Sequence, residues 1–76
     1  MTLINMQRGK QYIIRQIASL DQALTSKLLA LGIIPGECVE LLHLAPLGDP
    51  MQIKAGSTYI SIRKHDGQFI EIDSVQ

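Results

Sequence analysis

The spacing of apolar residues along this chain changes several times, and each change predicts an element. Gln11-Tyr12-Ile13-Ile14-Arg15-Gln16-Ile17 is rich in β-branched and aromatic side chains, which predicts a first strand whose inward face its imperfect alternation leaves open. Leu24, Leu28 and Leu31 then recur at spacings of four and three, which puts them on one side of a helix from about Gln22 to Leu31. Asp21 stands where its carboxylate can accept a bond from a first-turn N–H. The helix is short and must be held by packing on a sheet rather than by propensity.

The stretch Leu28-Leu29-Ala30-Leu31-Gly32-Ile33-Ile34-Pro35-Gly36 reads as a helix end, a stop and a turn. Gly32 follows the last periodic leucine, where a left-handed residue lets the chain leave without a Cβ clash. Pro35 pushes Ile34 out of the helical region, and Gly36 can supply the positive φ of a type II turn. The turn feeds Cys38-Val39-Glu40-Leu41-Leu42. There Val39 and Leu41 share one face while Leu42 and Leu44 share the other. A bulge or bend at Leu41-Leu42 explains that slip of phase, and bent strands are what a small barrel needs.

Ala45-Pro46-Leu47-Gly48-Asp49-Pro50 is punctuated too heavily by proline and glycine to be anything but a loop between strands. Met51, Ile53 and Ala55 then alternate with polar residues as a half-buried strand, and Gly56 suggests a bend or bulge. Ile60 and Ile62 continue the alternation in a further strand. His65-Asp66-Gly67 reads as a tight turn in which Gly67 can take positive φ. Ile70 and Ile72 define a closing strand, with Val75 as a last contact. The order predicts a mainly β fold: a small SH3-like five-stranded antiparallel barrel, from about residue 9 to 75, with one short α-helix inserted after the first strand. No repeat, linker or low-complexity tract divides the chain, so residues 1–76 are expected to form a single domain.

Composition narrows the function more than it changes the fold. With 76 residues, most apolar side chains must be core. Seven basic residues balance seven acidic ones, so no long-range field gathers nucleic acid by counterion release. The N-terminus lacks the pattern of a secretion signal, and no stretch approaches the roughly 18 apolar residues of a membrane span. A cytoplasmic location is expected.

Candidate chemistry is sparse. Gly9-Lys10 lacks the preceding glycine and following hydroxyl of a phosphate-binding loop. Cys38 is the only cysteine, expected as a small buried hydrophobe, and ideal alternation sets it on the opposite strand face from His43. His65 with Asp66 and Asp73 could bind weak or adventitious divalent metal at the surface. No catalytic set, resident metal or cofactor is expected. Among the apolar residues, Leu24, Leu28 and Leu31 are assigned to the core. Leu29, Pro46 and Leu47, with the loop residues Gly48, Asp49 and Pro50, are candidates for a docking surface, since exposed aliphatic patches commonly mark one.

The run from Leu28 to Gly36, followed at the right distance by Ala45-Pro46-Leu47-Gly48-Asp49-Pro50 and by Ile60-Ser61-Ile62-Arg63, resembles the ferrous iron transport protein A family. The resemblance covers about Gly9 to Asp73. It implies an SH3-like barrel with a helical insertion, acting as a small accessory of bacterial ferrous iron uptake. The partner it implies is ferrous iron transport protein B, a membrane transporter with a cytoplasmic GTP-binding domain, which would hold this chain at the inner membrane. Members often form a short helical turn where His65-Asp66-Gly67 stands, and Cys38 is outside the pattern. The alternative is a stand-alone metal-regulator-type domain that senses a transition metal or stabilises a transcription factor, since such repressors end in SH3-like domains with a similar helix-exit run.

Overall fold

A computed structural model describes residues 1–75. The elements are β1 (Gln11–Ile17), α1 (Gln22–Leu31), β2 (Cys38–Leu44), β3 (Met51–Ala55), β4 (Thr58–Ile62), α2 (Lys64–Gly67) and β5 (Ile70–Ser74), preceded by a short 3₁₀ turn at Leu3–Asn5. All five strands are antiparallel in one sheet of order β4-β3-β2-β1-β5. This is the mainly β, five-stranded arrangement with one helix between the first two strands that the pattern predicts.

The core is aliphatic, and period two sorts its members. Tyr12 and Ile14 of β1, Val39 and Leu41 of β2, Met51, Ile53 and Ala55 of β3, Ile60 and Ile62 of β4, and Ile70 and Ile72 of β5 are all buried. The register of β2 against β3 shifts between Leu41 and His43, and that of β1 against β5 between Ile14 and Gln16. Such bulges bend strands and let their inward faces converge. The first is the irregularity expected at Leu41-Leu42. Since Val39 points inward, its neighbour Cys38 must point outward, and it is exposed rather than the buried hydrophobe expected.

Local rules place α1. The Asp21 carboxylate accepts the Ala23 and Leu24 N–H groups at 3.0 and 3.2 Å. At the other end Gly32 has φ 112°. Its N–H donates to the Leu29 carbonyl at 3.1 Å and that of Ile33 to the Leu28 carbonyl at 3.0 Å, which together complete a Schellman motif. Ile33 and Leu28, the apolar pair such a motif brings together, are both buried. The Glu37 N–H then reaches the Ile34 carbonyl at 3.0 Å, and Gly36 has φ 95°, closing the expected type II turn around Pro35.

Other features depart from the reading as well. Gly56, expected as a bend or bulge ahead of a further strand, makes with Ser57 a full two-residue reversal between β3 and β4. His65-Asp66-Gly67 belongs to the helical turn α2, and Gly67 is not among the positive-φ glycines. What Gly67 provides is close approach, because a Cβ there would meet the Leu3 Cβ at 3.4 Å. A further departure follows from this one. Residues before Gly9, left outside the predicted barrel, supply core: Leu3 is fully buried and Met6 nearly so. Thr2 bridges Glu71 and the Ile72 N–H donates to the Met1 carbonyl at 2.9 Å, so this segment straps the edge of β5. The Gln7 N–H donates to the buried Tyr12 hydroxyl at 2.9 Å. Val75, expected as a last contact, is largely exposed and holds on by a backbone bond to Gln11.

Candidate docking surface

The loop of residues 45–50 joins β2 to β3 and is closed from within. The Ala45 N–H donates to the Pro50 carbonyl at 3.1 Å and the Gly48 N–H to the Ala45 carbonyl at 2.7 Å. A second fixing comes from across the chain. Arg63, at the N-cap position of α2, offers no side-chain cap. The Asp49 carboxylate takes that role and accepts the Lys64 N–H at 2.9 Å, satisfying a donor that the start of a helix leaves orphaned. The Lys64 ammonium lies over Gly48. Asp49 therefore braces the loop against α2, with Lys64 reaching back over Gly48, while Pro46 and Leu47 project from the loop. Leu47 is 100% exposed.

Beside the loop runs a groove of about 350 Å³. Leu28 and Leu31 of α1, Pro50 and Ile62 give it apolar walls, and Lys27, Ser61, Arg63 and Asp66 give it polar ones. Lys27 Nζ lies 3.7 Å from Asp66 Oδ2, joining α1 to α2. Leu31, assigned to the core by its spacing, is 39% exposed on the groove instead. The helical period explains this: Leu31 lies roughly 60° round the axis from Leu28, which already occupies the position facing the sheet. Leu24, on the same flank, is half-buried against the core. Leu29 lies roughly 100° round the axis from Leu28 and is largely exposed.

The residues considered for metal chemistry are dispersed. Asp73 pairs with Arg15 at 3.4 Å, Asp66 with Lys27, and His65 meets Phe69 edge-on with ring centres 6.0 Å apart. Among the described residues, no three His, Cys, Asp or Glu side chains gather as a metal-holding group, and no helix is long and apolar enough to cross a membrane. Cys38 and His43 both face solvent. The brace from Asp49 to Lys64 escaped the sequence reading because its partners lie 15 residues apart. The only signal for it is an aspartate that no local turn needs.

The family model described as FeoA domain matches residues 1–74. A curated relative from Helicobacter pylori (strain J99), carrying the designation Fe(2+) transport protein A, is 33% identical over 72 residues, covering 95% of this chain and 92% of that protein. The solution structure of iron(II) transport protein A from Clostridium thermocellum is 35% identical with a TM-score of 0.91. It matches 99% of this chain, which spans 46% of that one. A FeoA from Stenotrophomonas maltophilia, solved in complex with zinc and described as a prokaryotic SH3 domain protein, is 24% identical with a TM-score of 0.83, over 96% of this chain and 89% of that one. At that identity it speaks for the SH3-like fold alone.

Proposed function

Since the chain belongs to the FeoA domain family, a family of ferrous iron transport, we propose that it is a non-enzymatic accessory of ferrous iron uptake that docks on the membrane transporter, ferrous iron transport protein B. It works in the cytoplasm, held at the inner membrane through that partner, and carries no resident cofactor. The observation that supports docking is the pairing of a braced loop with a fully exposed leucine at its tip. An apolar side chain held out on a fixed backbone offers area to a partner with little ordering left to do. Pro46 extends the apolar surface at that tip, and Gly48, Asp49 and Pro50 hold its shape, whereas Leu29 is exposed on the flank of α1 turned away from Leu31 and the groove.

A module without reactive groups acts on a transporter only by preferring one of its states. If it binds two states equally it shifts nothing, however tightly it binds. The proposal therefore requires that affinity for the transporter change with guanine nucleotide or with the transport cycle. The test is capture of the purified transporter by this chain with and without guanine nucleotide, together with ferrous iron uptake and GTP hydrolysis in cells and membranes lacking the chain. Nucleotide-dependent capture with altered uptake supports the reading. Absence of capture, with uptake and hydrolysis both unchanged, defeats it.

A further inference from the structure

The two edges of the sheet are treated differently. The edge of β5 is covered by the N-terminal strap, through the Thr2 bridge and the Met1 carbonyl. The edge of β4 carries no bonded strand or strap, although the C-terminal end of α1 stands against its start, where a Cβ on Gly32 would meet Thr58 at 3.7 Å. The Gly56 N–H donates to the Cys38 carbonyl at 2.8 Å, so Val39 and Ala55, which face each other, form a non-hydrogen-bonded pair of β2 and β3. Ala55 must then turn its N–H and C=O toward its partner Thr58 in β4. By alternation Ile60 and Ile62 also bond to β3, while Tyr59 and Ser61 turn their backbone groups outward. Among the described residues these outward groups have no backbone partner beyond the sheet, and both residues are exposed. An uncovered row of donors and acceptors is a template for another strand.

The groove described above opens along this same edge. Its apolar walls come from Leu28, Leu31, Pro50 and Ile62, and its charged lining is Lys27, Arg63 and Asp66, two cations against one carboxylate. Asp66 is already engaged by Lys27, whereas Arg63 pairs with no carboxylate among the described residues and Lys64 lies nearby over Gly48.

We infer that β4 accepts an extended acidic segment of the docking partner as an added strand, its backbone bonding to Tyr59 and Ser61, an apolar side chain entering the groove over Leu31 and Pro50, and a carboxylate meeting Arg63. The inference rests on the proposed docking and states how it is done. A second copy of this chain is the poorer occupant, because a two-fold pairing of β4 edges would set the same excess of cations against itself.

Ser61→Pro tests it, because that N–H points away from β3, so proline removes the outward donor without cutting the ladder. Arg63→Glu tests the charge. The full chain and each variant are assayed for capture of purified ferrous iron transport protein B, and melting temperature reports folding. Amide hydrogen exchange of the unmodified chain, read with and without the transporter, keeps the test open if Ser61→Pro fails to fold. Expected are a loss of at least tenfold in capture for both variants and at least tenfold slower exchange at Tyr59 and Ser61 when the transporter is bound. Undiminished capture by a folded Ser61→Pro variant, or unprotected Tyr59 and Ser61 amides in a complex that does form, overturns the strand addition and leaves the docking standing. No capture even by the unmodified chain overturns both. Protection that grows with the chain's own concentration, without transporter, assigns the edge to a second copy and overturns the inference.

Discussion

Two turns of this protein use the same residue types to opposite ends. In the first, Gly32 to Gly36, proline and glycine follow a helix and the neighbouring Ile33 is fully buried. In the second, residues 45–50, proline and glycine join two strands and Leu47 is fully exposed. Turn chemistry fixes the backbone in both, yet it does not decide burial. The Schellman motif swings the residue after its glycine back against the helix, where Leu28 waits. The strand connection carries its tip away from the sheet and offers Leu47 nothing to pack on. What decides burial is the place in the motif: in the first turn Ile33 is fully buried while the next residue, Ile34, is exposed.

That contrast is tested hardest at Ile33. Ile33→Ala removes fully buried atoms at the junction of helix and sheet, where such truncations cost about 2–5 kcal/mol. For a domain this small that is a large part of the total stability, and chemical denaturation should show a sharply lowered midpoint or no folded baseline. A midpoint close to that of the unmodified chain would mean that the two turns differ less than their burial implies. A smaller loss is expected for Gly32→Val. The space beside Gly32 is ordinary, since a Cβ would find Ile60 and Thr58 at 3.5 and 3.7 Å. The cost is therefore conformational, about 1–2 kcal/mol for a side chain forced into the left-handed region. Unchanged thermal stability would refute the part assigned to Gly32 in ending α1.

The same contrast explains what could be read in advance. Asp21, Gly32, Pro35 and Gly36 were legible because each acts within four residues of itself, and the inward isoleucines because period two needs no partner to be recognised. Leu3 and Met6 were not, since a three-residue spacing in so short a segment carries no period, and the close packing of Leu3 rests on Gly67, far along the chain. The helical turn α2 was carried by the family resemblance but hidden from the residues for the same reason: its glycine answers to a neighbour rather than to a dihedral angle. Of the candidate surface, the loop was visible as composition. The groove and the open edge of β4 were not, because they arise only when α1, β4 and α2 stand side by side. Leu31 shows the limit of spacing, which names the side of a helix but not how much of that side the sheet can cover.

Asp49 separates loop shape from loop composition. Asp49→Ala removes the acceptor for the Lys64 N–H, and the loss of a capping carboxylate typically costs about 1 kcal/mol. In a domain of this size that corresponds to a fall of about 4–8 °C in melting temperature. Asp49→Asn keeps an acceptor oxygen and should recover most of it. If both variants melt where the unmodified chain does, the brace contributes nothing and the loop is held by its internal bonds alone; if both lose equally, the charge of the carboxylate carries the brace.

The smallest effect on stability, and the most telling for function, is expected at the tip of that loop. Leu47 touches no core, so Leu47→Glu should change the unfolding free energy by no more than about 0.5 kcal/mol, as surface substitutions usually do. Capture of the transporter should fall all the same, because a carboxylate placed on an apolar contact must be stripped of water without gaining a partner. Ile33→Ala would give the reverse pattern: stability lost, with binding lost only in proportion to the unfolded fraction. A Leu47→Glu chain that melts early would place the leucine in the core and collapse the distinction between the two turns. One that stays folded and binds undiminished would keep the distinction but remove Leu47 from the docking surface, leaving the β4 edge and its groove to carry recognition.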